Sequence, residues 1–512
     1  MKNTFGAMPT CISIGFVLVL ALAGCAPAGS TSDSQVAGGG TITIGQVAEP
    51  THVPDPIVDG SLAGYNYYFN VFDQLTTFDA EGDIQPRLST EWTSNEDFTQ
   101  WTFNVRDDVK FHNGEPLTAA DVVFTYETIL ATADSDPASY MEMLESTEEG
   151  ADGTVVFNLD APFSAWPTIT TGVSIVPESV YTELGSEGFA AAPVGSGPFI
   201  FEKYTRGVEY VINKNDDYWG TKATIDQAIF QTVADSEARL NGVSSGSLDI
   251  ALIAPNQVSS LEGADNVSVK SLPSNGVTFL GMNSTAGPLA DPLVRQAITL
   301  AIDREAIVDS VLAGLGTANS QLVAPNVGGF SDDYPAPAFD PDEARRLLAK
   351  AGYAGEPIPL EYAVEGRIPL SSEVVQVIQG FLSDVGVVVE LQGMDQGSFS
   401  TVVYGSKTAK GIYLNTYAPS TIDGDAPIAS IFGAQQNDYA LDQATTALVE
   451  KTRTVDGQDR IDVYSELFTL NDAESYVIGL YTPDNNFAVN PELKWEPRAD
   501  GLVVLNLATF AG

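Results

Sequence analysis

Gly276 to Gly316 reads GVTFLGMNSTAGPLADPLVRQAITLAIDREAIVDSVLAGLG, and the fold follows from it. The stretch opens as a strand with apolar Val277, Phe279 and Leu280, then breaks between Asn283 and Gly287. Two signals start a helix after the break. Asp291 can accept a backbone N–H as N-cap, and Pro292 fills the first turn, where no amide partner is needed. Val294, Ala297, Ile298 and Ala301 follow at helical spacing, so one face of this helix is buried. Asp303 predicts the cap of a second helix, which carries Ile307, Val308 and Val311.

The chain around this corner has 512 residues, enough for roughly three domains with large cores. Lys and Arg number 23 against 68 Asp and Glu, for a net charge of −45. Such a chain repels polyphosphate, which disfavours a nucleic-acid partner. The acidity is spread along the sequence and forms no acidic tail, so it reads as solubility outside the cell or adaptation to a salty medium.

The amino terminus predicts location. Lys2 is the only charge before the apolar run Ile12 to Ala23, which is too short for a mature membrane span but suits a secretory signal. It ends in Leu22-Ala23-Gly24-Cys25, which resembles a bacterial lipobox; that resemblance implies a diacylglyceryl group on Cys25 and removal of residues 1 to 24. Loss of Lys2 takes the net charge from −45 to −46. The other cysteine, Cys11, lies in the removed segment, so no disulfide is expected. Residues 25 to 40, rich in Ser, Ala and Gly, predict a flexible tether.

Further on, Thr41 to Gly45 alternates as a strand, as do Trp101, Phe103 and Val105. Thr118 and Asp121 form a capping-box start for a helix whose Val122, Thr125, Tyr126 and Ile129 share a face. In the second half, Asp340 and Gly352 mark both ends of a helix, Ile358 to Val364 is a strand, and Val387 to Leu391 is another. This alternation of strands and helices predicts a mainly parallel sheet.

The strings Pro86-x-Leu88, Trp92, Trp101-Thr102-Phe103, Val109-Lys110-Phe111-His112-Asn113-Gly114, Pro116-Leu117-Thr118-Ala119 and Asp121-Val122-Val123 resemble the signature of the family 5 solute-binding proteins of ABC importers, the peptide and nickel family. Pro193-Val-Gly195-Ser196-Gly197-Pro198-Phe199, Lys214 to Trp219 and Val294 to Glu305 resemble further family segments. The resemblance covers almost the whole mature chain. It implies an α/β fold of the periplasmic-binding-protein kind, with two lobes, a hinge and an extra subdomain inserted in lobe I. Domain I would comprise 41–64, 196–275 and 478–512, the inserted subdomain 65–195, and domain II 276–477. The glycine pair Gly195 and Gly197 either lets backbone N–H groups approach a ligand or returns the chain between lobes.

The implied function is that of a lipid-anchored extracytoplasmic protein, on the periplasmic side of the cytoplasmic membrane, that captures a small solute and delivers it to a permease. An oligopeptide or dipeptide is the first expectation; a metal chelate, sugar or opine is the alternative, as is a sensory or adhesion lipoprotein that kept the fold. Permease and ATPase subunits would be other chains, and the protein itself a monomer without cofactor or metal.

Catalysis finds little support. The chain holds two histidines, His52 and His112, and neither has a ligand-spaced partner. Gly242-Val-Ser244-Ser-Gly246 fits the hydrolase pattern G-x-S-x-G, but a helix is predicted before it and a strand after it, the reverse of a nucleophile elbow. The protein is expected not to be an enzyme.

Candidate solute contacts come from two places. Arg367 follows the strand Ile358 to Val364, where open α/β sheets bind ligands, and an Arg can hold a carboxylate through two parallel hydrogen bonds. In dipeptide-binding members a matching Arg binds the peptide carboxyl terminus; as a plain surface residue, Arg367 would only offset local acid. The second place is Tyr417 to Asp425. By the family pattern Tyr417 stands at a Trp position, and Ser420 where an Asp pairs with the peptide amine. Asp423 and Asp425 are offset from that position and either reach the cleft or shape the turn.

Overall fold

The computed structural model describes residues 39–79, 82–261, 263–285, 287–335, 338–435 and 437–510. The predicted signal segment, Cys25 and nearly all of the tether lie outside the described residues.

The chain begins with β1 (Thr41–Gln46) and the aromatic helix Leu62–Val71. A hairpin follows, β2 (Thr76–Phe78) with β3 (Ile84–Pro86). A four-stranded antiparallel sheet comes next: β4 (Ser89–Ser94), β5 (Gln100–Val105), β6 (Leu144–Glu149) and β7 (Thr154–Leu159), in the order β4, β5, β7, β6. The chain then lays down β8 (Phe199–Thr205), β9 (Glu209–Lys214), β10 (Gln227–Thr232), β11 (Ile250–Ile253) and β12 (Ser268–Pro273). The second half supplies β13 (Val277–Met282), β14 (Gly316–Ala318), β15 (Ile358–Ala363), β16 (Val389–Met394) and β17 (Ile412–Tyr417). Last comes the long β18 (Val477–Val489).

One continuous sheet runs β16, β15, β17, β13, β18, β11, β1, β10, β9, β8, with β12 and β14 also paired to β18. Its centre is β18. The Val477 to Tyr481 end pairs with β13, and the Asn486 to Val489 end pairs with β11 and β12. A single strand therefore belongs to both halves. The sheet is mixed, which corrects the expectation of a mainly parallel one. Parallel pairs are β1 with β10 and β11, and β15 with β16 and β17. All four described partners of β18 run antiparallel to it. The β-α alternation read from sequence holds for the β15 to β17 region and for β10, the helix Ser236–Ser245 and β11 beside β1, and the strands that return beside β18 need no helical crossover.

Separate cores lie on either side of this shared strand, giving a two-lobed α/β fold. One gathers Ile42, Tyr67, Phe103, Phe157, Tyr210 and Val489. Leu280, Ile298, Leu360 and Ile378 build a second, and Phe279, Tyr413, Phe432 and Tyr464 a third. Phe78 of the β2–β3 hairpin is buried in that third core, so the hairpin packs onto the far half.

The local signals are realised. Asp291 accepts from Leu293 N at 2.8 Å, Asp303 from Ala306 N at 3.0 Å and Asp340 from Glu343 N at 2.8 Å. Gly352 ends its helix at φ 71°. The carboxylate of Asp121 takes the Thr118 N–H at 2.9 Å.

Gly195 and Gly197 are packing residues. A Cβ on Gly195 would lie 2.0 Å from the Val71 carbonyl oxygen, and one on Gly197 2.6 Å from the Val71 carbonyl carbon. Ser196 between them donates to the buried Asp73 carboxylate at 3.0 Å. Asp73 also takes Arg87 Nε at 2.7 Å, Trp219 Nε1 at 2.8 Å and the Tyr218 hydroxyl at 3.0 Å. The family segments around Leu88, Ser196 and Trp219 thus converge on one buried carboxylate, whose charge needs these donors.

Candidate functional site

The segment that follows β17 runs from Tyr417 through Ala418 to Gly424 and enters the helix Asp425–Phe432. Asn275 Nδ2 holds the Pro419 carbonyl at 2.5 Å. The amide of Gly328 donates to Ile422 O at 3.1 Å, and the amide of Gly424 donates to Gly328 O at 2.8 Å. Both acidic residues of the segment are spoken for. Asp423 receives Arg460 in a two-pronged pair at 2.6 and 2.7 Å, with side chains only 4 % and 10 % exposed. Asp425 receives Arg453 at 2.7 and 2.9 Å. Asp423, a sequence candidate for solute contact, is instead the buried counter-ion of Arg460. Two parallel N–H···O bonds occupy both of its oxygens, which leaves no free face for a ligand.

Arg367 sits on the loop after β15 and is exposed. It borders a small hollow with Ala363, Ile368, Gln396, Phe399, Leu414 and Asn415. Asn415 is fixed from behind: the Tyr404 hydroxyl donates to its oxygen at 2.7 Å, and its amide donates to Asn437 at 3.0 Å. Among the described residues Arg367 makes no ion pair and no hydrogen bond. Its charge nevertheless reaches three phenols, those of Tyr140, Tyr404 and Tyr417. Burial raises the pKa of each, that of Tyr417 to about 12, while Arg367 pulls each back down. All three remain protonated at neutral pH and can donate hydrogen bonds.

Tyr140 had no signal in the sequence. It ends a short 3₁₀ turn, Pro137–Tyr140, in the other half of the molecule, and burial raises its pKa while Ser420 and Arg367 both act to lower it. Arg367 thus acts electrostatically on Tyr140 and Tyr417, while Asp423 is engaged by Arg460. The chemistry on offer is one guanidinium, three phenols, a serine hydroxyl and side-chain amides, a set that suits an anion.

The histidines and the G-x-S-x-G string take no part. His112 Nδ1 accepts the Gly195 N–H at 3.3 Å, so Nε2 carries the proton and donates to Gly197 O at 3.1 Å. Burial lowers its pKa, which keeps it neutral. His52 Nε2 faces Asp136 at 3.7 Å. Ser244 lies in the last turn of the helix Ser236–Ser245, where no strand precedes it to form an elbow.

The fold and site can be set beside known proteins. Over 396 residues the chain is 28 % identical to the probable di/tripeptide-binding protein 5 of Pseudomonas aeruginosa, covering 71 % of this chain and 74 % of that one. It is 23 % identical over 484 residues to the probable D,D-dipeptide-binding periplasmic protein DdpA of Escherichia coli, covering 88 % and 92 %. The solved structure of the ABC transporter substrate binding protein CtaP of Listeria monocytogenes superposes with a TM-score of 0.84 at 22 % identity, over 93 % of this chain and 100 % of that one. Residues 83–439 match the model of bacterial extracellular solute-binding proteins, family 5. The chain belongs to the family 5 bacterial extracellular solute-binding proteins.

Proposed function

We propose that this chain is the solute-capturing subunit of an ABC importer, anchored outside the cytoplasmic membrane through a lipid on Cys25, and that Arg367 holds a carboxylate of the solute. The observation that carries this reading is an arginine with no ion pair or hydrogen bond among the described residues, in a chain of net charge −45, beside a hollow and electrostatically coupled to phenols of both halves. An arginine that only offset local acid would be expected beside a carboxylate, as Arg453 and Arg460 are. The names of the relatives favour a dipeptide or oligopeptide.

Domain I is proposed as 41–64, 196–275 and 478–512, with 65–195 inserted and 276–477 as domain II. Closure of the two about β18 and its neighbours would bury the solute and present one shape to a permease. The protein acts as a monomer in this scheme, with permease and ATPase on other chains.

The test is native mass spectrometry of the chain purified gently from cells in rich medium. A series of bound masses spaced by amino-acid residues supports peptide capture. One discrete mass supports a dedicated solute, the second reading, which the hydroxyl at Ser420 favours. Equal retention of either ligand by Arg367→Ala contradicts the role of Arg367.

A further inference from the structure

The β2–β3 hairpin joins two cores that otherwise belong to different halves. Leu75, just before β2, is fully buried in the first core, and Phe78, three residues on, is buried in the third with 6 % of its surface exposed. That spacing spans about 10 Å of extended chain. Ile84, paired with Phe78 across the hairpin, packs beside the same third core.

The base of the hairpin is fixed to the first half. The Thr76 hydroxyl donates to Pro167 O at 2.9 Å and lies 2.7 Å from the hydroxyl of Thr170. The amides of Leu88 and Ser89 donate to Gln74 O at 3.1 Å and to Leu75 O at 2.9 Å, and Leu88 is itself buried in the first core. To the far half the hairpin presents the apolar side chains of Phe78 and Ile84. Apolar attraction is non-directional, so such a seat can part without breaking an aligned bond.

The seat also carries a cost. At the turn of the hairpin, a Cβ on Gly82 would lie 3.1 Å from the Asn326 carbonyl oxygen and 3.8 Å from the Ile422 side chain. Asn326 directly precedes Val327 of the third core, and both polar atoms of its side chain are buried without a partner among the described residues. A permanent interface pairs such an amide. Leaving it unpaired costs about as much as burying a phenyl ring gains, so the two offset and the seat is poised between docked and released.

We propose that the hairpin is a latch: Phe78 sits in the third core while the halves are together and leaves it when they part, which frees Asn326 to water, so the strength of this seat sets the ratio of open to closed forms. The inference rests on the proposed closure of the two halves and goes beyond it.

The test places spin labels on exposed positions of the two halves, through Leu184→Cys and Val388→Cys in a full chain with Cys11 and Cys25 replaced by Ser, and reads the open-to-closed ratio from the distance distribution. Phe78→Ala should raise that ratio about ten- to hundredfold, the weight of a buried phenyl ring. Phe78→Leu keeps an apolar plug and should raise it less. Asn326→Leu, added to the Phe78→Leu chain, removes the unpaired amide and should lower the ratio again by about fivefold or more. Urea midpoints are measured alongside. A lower midpoint in either Phe78 variant with the ratio of wild type makes Phe78 an ordinary core residue and overturns the latch, leaving closure intact. Asn326→Leu that fails to lower the ratio also overturns it, because opening then relieves no cost at the seat. One distance shared by wild type and every variant removes closure and the latch together.

Discussion

The backbone amide of Ser164 donates to the carbonyl of Arg453 at 2.9 Å, joining a segment packed on the first core to one packed on the third. The Arg453 guanidinium lies 5.8 Å from the Phe163 ring and grips Asp425 at the head of the helix that follows Tyr417 to Gly424. One residue thus touches the opposite half and the end of the Tyr417 to Gly424 segment. Ser164 is the second residue of a turn closed by Trp166 N to Phe163 O at 3.2 Å, a position where proline is favoured. Ser164→Pro should remove the bond to Arg453 and keep the turn. The ratio of closed to open forms, read by spin labels on the two halves, should fall about two- to tenfold, as expected for one hydrogen bond. An unchanged distance distribution would show that this contact does not help hold the halves together.

Asp423 and Arg460 form a buried pair whose removal is felt in stability. Asp423→Ala leaves the Arg460 charge buried and should cost about 3–5 kcal/mol in denaturant unfolding. Solute charge preference should stay the same. A variant of normal stability that loses its solute would restore Asp423 to the binding site.

Gly195→Ala should destabilise by about 1–3 kcal/mol, because the new methyl meets a backbone carbonyl that cannot rotate away. Urea midpoints measure this. Were the glycine instead an approach point for ligand, affinity would change and the midpoint would not.

Asp55 is fully buried and accepts Ile57 N at 2.9 Å, Tyr181 OH at 2.8 Å and Ser186 Oγ at 2.6 Å. Burial outweighs these bonds and raises its pKa above the usual carboxylate value. A raised folded-state pKa means that the folded chain binds this proton more tightly than the unfolded chain. Its contribution to stability is full below the unfolded pKa and is lost as pH rises through the folded one. Wild type should therefore lose stability relative to Asp55→Asn as pH rises from about 4, the unfolded carboxylate value, toward neutrality. A constant difference across that window would contradict the raised value.

Local features were legible because their causes are local. The caps at Asp291, Asp303 and Asp340 and the glycine stop at Gly352 each depend on a neighbour within one helical turn. Long-range partners were not. Arg460 is 37 residues from Asp423, and no spacing rule links an acid in a turn to an arginine on a later helix. The same holds for Tyr140, whose electrostatic coupling to Arg367 arises only after both halves fold. The direction of the sheet also depended on distance: β18 takes neighbours from both halves, and a run of apolar residues does not say which way its partners point. Motif position pointed to Tyr417 and Ser420 and left Asp423 offset with two readings open, cleft or turn; its bond to Arg460 is what the sequence could not show.

The central claim is that Arg367 anchors the oxyanion of the solute, and the direct measurement is calorimetric titration of the solute recovered from the protein into wild type, Arg367→Lys and Arg367→Ala. The account predicts affinity about ten- to hundredfold weaker in Arg367→Ala, and an intermediate loss in Arg367→Lys, which keeps the charge but not the two-pronged geometry. Equal affinity in all three proteins would contradict it.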